Sequence, residues 1–240
     1  MKPVVHKQKS LAIIYDASAM DQPGPEAFSV DFWKSRHALS GEAQGRGSAW
    51  FIDASFGPVV LRHYLRGGWV AKISRGRYFF TTVERSRPFR EYAVLVSLYE
   101  KGLPVPRPVA ALCEHRGLTS SGAIMTERVS SARTLVEFFA GNSSGAEPSA
   151  GFWEGIGKTI RRFHDAGVWH ADLNARNILL DADNNAVLID FDKARFSSGR
   201  SVNGQGNMKR LKRSFVKLWP KDDPQGLQSV WQQIMAGYDG

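Results

Sequence analysis

A single cysteine, Cys113, is the scarcest chemistry in this 240-residue sequence. One thiol cannot close an internal disulfide, and it has no second thiolate with which to build a metal site. A reducing compartment is therefore the simpler expectation, and Cys113 reads as a small apolar filler. Long apolar runs are also missing. The longest, residues 11–15 and 93–99, fall far short of the about 20 residues that a membrane-spanning helix requires. The basic start and the apolar residues 11–15 resemble a signal peptide only superficially, because the core is too short and Asp16 and Asp21 follow it. No internal repeat is visible. Acidic residues are outnumbered, 23 against 32 basic, for a net charge of +9. Such an excess favours a polyanionic partner: nucleic acid, an anionic membrane surface or a phosphorylated substrate.

What is present is ordinary for a folded chain, with 42% hydrophobic and 23% charged residues. Residues 1–27 read as a strand and a loop ending in Gln22-Pro23-Gly24-Pro25. Residues 28–39 suggest a short helix and residues 41–47 are glycine-rich. Residues 48–52 and 59–64, separated by Gly57-Pro58, read as a hairpin. From Phe89 the period turns helical, with Phe89, Ala93, Leu95, Val96 and Tyr99 recurring at three- and four-residue spacing, and Gly102 stops it. Pro104, Pro106 and Pro108 hold an extended connection. After a strand over 123–129 the chain becomes mainly helical, with an amphipathic helix predicted over 152–166 and a basic one over 208–217. Between them, Asn177-Ile178-Leu179-Leu180 and Val187-Leu188-Ile189 flank the turn 181–185 as strand, turn and strand.

The chemistry concentrates at this hairpin. Phosphoryl transfer needs phosphates held by cations and metal, and a carboxylate that takes the proton of the attacking hydroxyl. Magnesium prefers a few hard oxygen ligands and keeps its waters. In Trp169-His170-Ala171-Asp172-Leu173-Asn174-Ala175-Arg176-Asn177, Asp172 and Asn177 flank a short loop; in Leu188-Ile189-Asp190-Phe191-Asp192, Asp190 ends the second strand. A hairpin brings Asn177 and Asp190 together to share a metal, and Asp172 faces the same cavity. The bland alternative is that all three are turn and strand-end residues.

At these positions the chain resembles the protein-kinase-like superfamily, whose catalytic loop reads His-x-Asp-x-x-x-x-Asn and whose metal-binding Asp begins Asp-Phe-Gly. His170, Asp172 and Asn177 fit the first motif and Asp190-Phe191 the second, with Asp192 in place of the glycine. The resemblance implies an α+β, bilobal kinase-like fold. An N-lobe over 1–128 would hold an antiparallel sheet with one main helix, and a C-lobe over 129–240 would be mostly helical. It also implies a phosphate-covering glycine loop at Gly45-Arg46-Gly47-Ser48 and a cation on the following strand paired with a helical Glu. Arg62 and Glu91 suit that pair, with Lys72 as the competing cation. His170 is then structural.

Further elements narrow the resemblance to the 3-deoxy-D-manno-octulosonic acid (Kdo) kinase family. They are Asp31-Phe32-Trp33-Lys34, Leu61-Arg62-His63-Tyr64, Arg66-Gly67-Gly68, Gly102-Leu103-Pro104-Val105-Pro106 and Arg210-Leu211-Lys212-Arg213-Ser214. Similarity to that family implies ATP and Mg2+ as cofactors and phosphorylation of the 4-hydroxyl of Kdo on Kdo–lipid A. Asp172 would be the base, Asn177 and Asp190 the metal ligands, and Gly45, Gly47, Arg62 and Glu91 the nucleotide site. It implies a peripheral enzyme on the cytoplasmic side of the inner membrane, with no nucleic acid partner. The charge agrees independently, since two basic groups, around Arg62–Arg77 and Lys209–Lys217, suit a polyanionic lipid at an anionic surface. Two other readings stand beside it: a kinase for another core sugar or small molecule, and a catalytically dead kinase fold that binds RNA or membrane.

Overall fold

The computed structural model describes residues 1–43, 49–64, 78–79, 82–116, 119–141, 149–197 and 202–240. The expected glycine loop at Gly45 and Gly47, and the alternative cation Lys72, lie outside the described residues. Two compact units emerge. Met1–Glu100 and Pro106–Arg128 form the first; Lys101–Val105 and Val129–Gly240 form the second.

The first unit is built on an antiparallel sheet. Its strands are β1 (Pro3–Gln8), β2 (Leu11–Asp16), β3 (Leu39–Ala43), β4 (Ala49–Ala54), β5 (Gly57–His63), β6 (Tyr78–Phe79), β7 (Pro108–Arg116) and β8 (Thr119–Glu127). Their order is β1-β2-β7-β8-β5-β4-β3, with β6 also pairing with β8. Two helices accompany them, α1 (Val30–Ser35) and α2 (Arg87–Glu100). Residues 1–27 thus hold a two-stranded hairpin rather than a single strand, and residues 28–39 only a six-residue helix before β3 begins.

The period-two alternation of β2 decides how the sheet is covered. Ile13 and Tyr15 join Trp33, Leu61, Leu112 and Met125 in the core on one face. Ala12 and Ile14 turn to the other face, where they meet Phe89 of α2 and Cys113. Helix α2 comes close because residue 122 is glycine. A Cβ there would lie 2.3 Å from the Leu112 carbonyl oxygen and 2.7 Å from Pro88.

The second unit is mainly helical: α3 (Leu135–Gly141), α4 (Phe152–Asp165), α5 (Gln205–Leu218) and α6 (Pro224–Asp239). Short strands β9 (Arg133–Thr134), β10 (Val168–Trp169), β11 (Ile178–Leu180), β12 (Ala186–Leu188) and β13 (Arg195–Phe196) join them. Strand β11 pairs with both β12 and β9, and β10 with β13. Residues 101–105 belong here because the Leu188 N–H donates to the Pro104 carbonyl at 2.9 Å and Arg162 to that of Gly102 at 2.8 Å.

In α4, Ile156, Ile160 and Phe163 form a buried stripe at helical spacing. A neighbouring side of the helix, with Gly157 and His164, packs against α6, which the sequence reading did not foresee. Pro224 at the first helical turn and Asp223, whose side chain accepts the Gly226 N–H at 2.8 Å, start α6. The two helices touch through glycines: a Cβ on Gly157 would lie 2.0 Å from the Ile234 carbonyl oxygen, and one on Gly237 2.1 Å from that of Glu154. No helix among the described residues is long and apolar enough to cross a membrane.

Candidate active site

The expected site residues fall in two groups, one in each unit. In the first unit, β5 carries Arg62 and α2 carries Glu91. The guanidinium Nη2 donates to Glu91 Oε1 at 2.5 Å, and the other carboxylate oxygen accepts the Tyr64 hydroxyl at 2.5 Å. Glu91 is 2% exposed. A carboxylate this deep is stable only with opposite charge and hydrogen bonds on its oxygens, and it has both. The Arg62 and Arg87 guanidinium groups each lie 5.1 Å from the centre of the Tyr64 ring. The charge of Arg62 is thus held in a fixed place while part of its side chain still meets solvent.

In the second unit the structure brings Asp172, Asn177 and Asp190 together through backbone geometry. Pairing of β11 with β12 sets Ile178 against Leu188, and the ladder continues as the Ile189 N–H donates to the Asn177 carbonyl at 3.1 Å. The Asn177 amide nitrogen donates to the Asp172 carbonyl at 2.9 Å, and the Asn174 side chain donates to the same oxygen at 2.8 Å. Asp190 takes a left-handed conformation, φ 68°. Such a turn costs a non-glycine residue roughly 1 kcal/mol and ends the strand there. Phe191 then enters the core, stacking on Phe163 at 5.7 Å, while Asp190 stays half-buried.

His170 is the hub of this arrangement. Its Nδ1 accepts the Asp172 N–H at 3.1 Å and its Nε2–H donates to the Ile189 carbonyl at 2.9 Å, so one neutral tautomer ties the Asp172 backbone to the residue before Asp190. Burial pushes the His170 pKa down, which keeps the ring neutral. Its ring also lies 4.8 Å from that of Phe191.

Behind His170 stands Asn207 of α5, fully buried. Its Oδ1 accepts the His170 N–H at 3.1 Å and its amide nitrogen donates to the His170 carbonyl at 2.6 Å. The same Oδ1 accepts from His164 Nε2 at 3.0 Å, and His164 Nδ1 accepts the Tyr238 hydroxyl at 2.8 Å. Burial lowers the His164 pKa as well. About two turns further along α5, Ser214 Oγ accepts the Ala175 N–H at 3.0 Å. Sequence reasoning missed His164, Asn207, Ser214 and Tyr64. The signal for Asn207 was available: it is a polar residue inside the apolar stripe Met208, Leu211 and Phe215 of a basic helix. Arg210 had been read only as one of a basic group, yet its Nη1 lies 3.3 Å from Asp172 Oδ1.

The donor set suits a small hard cation. The Asn177 nitrogen is committed to the Asp172 carbonyl, which leaves its oxygen to coordinate, and Asp190 directly follows Ile189, whose N–H reaches the Asn177 backbone. An amide oxygen and a carboxylate are magnesium ligands in kind, and the ion completes its shell with water or phosphate oxygen.

Comparison with known proteins identifies the family. A family model described as the lipopolysaccharide kinase (Kdo/WaaP) family matches residues 30–238. The chain is similar to a protein named 3-deoxy-D-manno-octulosonic acid kinase from Stenotrophomonas maltophilia (strain R551-3), with 42% identity over 95% of this chain and 89% of that one. Proteins of the same name are 43% identical in Xanthomonas axonopodis pv. citri (strain 306), over 95% and 89%, and 37% identical in Xylella fastidiosa (strain M23), over 100% and 94%. Among solved structures, one titled "WaaP in complex with acyl carrier protein" superposes with a TM-score of 0.56 at 14% identity, covering 86% of this chain and 81% of that one. At that identity the likeness speaks for the fold alone.

Proposed function

The chain belongs to the lipopolysaccharide kinase (Kdo/WaaP) family, and from that premise we propose that it phosphorylates the 4-hydroxyl of Kdo on Kdo–lipid A. It is an ATP-dependent kinase of lipopolysaccharide core assembly, acting on a hydroxyl group. The observation that carries the detailed reading is the neutral lattice around His170, which holds the Asp172 backbone, Asn177 and the strand end at Asp190 in one register.

Asp172 is an exposed carboxylate whose backbone is fixed on both sides, as a general base requires. In the reaction the acceptor hydroxyl oxygen forms a bond to the γ-phosphorus and its proton passes to Asp172. The bond from that phosphorus to the β-phosphate oxygen breaks, and ADP leaves. The oxygens of Asn177 and Asp190 would hold magnesium, which when bound neutralises charge on the phosphates. Arg62, locked by Glu91, supplies a cation to the nucleotide phosphates. The two compact units correspond in this reading to the two lobes of a kinase.

Two features support peripheral docking on an anionic membrane. The exposed side of α5 presents Lys209, Lys212, Arg213 and Lys217 around Val216, which is 59% exposed, and the whole chain carries a net charge of +9.

The test is transfer of labelled γ-phosphate from ATP–magnesium to Kdo–lipid A, with lipid A lacking Kdo as control. Label depends on Kdo, and Asp172→Ala lowers transfer by about 10³-fold while nucleotide binding is retained. Wild-type turnover in that variant removes Asp172 from the role of base, and equal labelling of both lipids removes Kdo as acceptor.

A further inference from the structure

Arg210 stands apart from the other basic residues of α5. Lys209, Lys212, Arg213 and Lys217 are exposed, whereas Arg210 is half-buried and turned to the catalytic segment. The docking of the helix puts it there. Asn207 grips both backbone groups of His170, and Ser214 receives the Ala175 N–H. Positions 207, 210 and 214 recur on one side of a helix, so two fastenings flank Arg210, one turn to either side. Its Nη1 therefore meets Asp172 Oδ1 at 3.3 Å by construction.

As a stabilising contact this pair has little value. The side chains are 42% and 61% exposed, and an ion pair so open to water adds almost nothing to stability. Among the described residues the Arg210 guanidinium makes no other hydrogen bond, which leaves most of its five N–H donors available beside the base. The catalytic loop offers no equivalent. Between Asp172 and Asn177 its one cation is the exposed Arg176.

We infer that Arg210 binds the carboxylate of the sugar acceptor and so selects an acidic sugar for phosphorylation. The inference rests on the reading of Asp172 as base and Kdo as acceptor. In Kdo the carboxylate hangs from the anomeric carbon, one ring carbon away from the carbon that bears the 4-hydroxyl. A hydroxyl seated on Asp172 thus brings the carboxylate within reach of a cation that already touches Asp172. The planar fork of arginine matches a carboxylate through two parallel hydrogen bonds, which a lysine cannot reproduce. Without acceptor the guanidinium rests on Asp172; with acceptor it serves both carboxylates.

The test compares Kdo–lipid A with its carboxamide, in which the Kdo carboxylate is neutral, for wild type, Arg210→Gln and Arg210→Lys. Wild type is expected to prefer the acid by on the order of 10- to 100-fold in kcat/KM, the discrimination typical of a lost charged hydrogen bond. In Arg210→Gln the activity on the acid falls by a similar factor and the preference collapses towards one. Arg210→Lys keeps part of it. A merely structural role lowers both acceptors together and preserves the ratio, so an unchanged acid-to-amide ratio in Arg210→Gln overturns the inference. Absence of label on both acceptors with wild type overturns the underlying reading of the acceptor as well.

Discussion

Among the described residues of the first unit, the two buried carboxylates, Asp16 and Glu91, are held by charge. Glu91 lies between Arg62 and Tyr64. Asp16, with no exposed side-chain surface, takes Arg107 at 2.6 Å, the Ser18 hydroxyl at 2.7 Å and the Lys2 N–H at 2.8 Å. In the second unit the buried polar groups are neutral. Tyr238, His164, Asn207 and His170 form one chain of hydrogen bonds that ends on the backbone of Asp172 and Ile189. The difference follows from what each group must fix. A salt link places a charge but tolerates small changes in angle. Neutral hydrogen bonds to backbone groups lose strength quickly off their axes, so they set the direction of a loop. The exposed carboxylate that performs the proposed chemistry is aimed by uncharged neighbours.

The largest effect on stability is expected where a charge is orphaned. Glu91→Ala removes one acceptor each from Arg62 and Tyr64 and empties a buried place, and should cost about 3 kcal/mol in urea unfolding of the whole chain. A loss below about 1 kcal/mol would mean that the first unit does not depend on charge pairing as described. Asn207→Ala removes three hydrogen bonds from a fully buried place and should cost about 2 kcal/mol. It should also lower kcat while leaving ATP affinity intact, because the loop loses its aim but Arg62 and Glu91 are untouched. Equal damage to nucleotide binding would break the separation of the two roles.

The smallest effect is in pH dependence, and it sharpens the contrast. His164 and His170 have pKa values lowered by burial, so the unfolded chain takes up protons first, near the ordinary histidine value of about 6.5. Their contribution is present above that pH and is lost as pH falls towards the folded-state values. Burial alone would raise Asp16, but the hydrogen bonds from Lys2, Arg107 and Ser18 more than reverse this and hold its carboxyl well below the usual range. Its contribution is present above about pH 4 and is lost only as pH falls through the lowered value. Between about pH 6.5 and 4 the second unit should therefore weaken more than the first. Hydrogen exchange, corrected for the intrinsic rate, should show protection lost around α4 and His170 before it is lost in β2 and β7. Simultaneous loss in both would contradict the comparison.

Much of this was legible in the chain itself. The apolar runs 178–180 and 187–189 around a polar turn marked the hairpin, and with it the approach of Asn177 to the strand end before Asp190, because strand length and turn composition are local properties. Arg62 and Glu91 stand 29 positions apart, yet a strand cation and a helix-start acid could be matched through the family resemblance. Helix α6 was not foreseen. Its start signal is short and its apolar face, with Val230, Ile234 and Gly237, makes sense only against the Gly157 notch of α4.

By itself, then, the sequence determined the α+β class and the hairpin that brings Asn177 towards the strand end before Asp190, since both follow from neighbours in the chain. Only the tertiary structure decided which residues aim them. Asn207, His164, Tyr238 and Arg210 come from helices 37 to 74 positions away from the groups they hold. Their partners are one another, the His170 backbone and a carboxylate, and no local pattern in the chain records which atoms a distant side chain will meet.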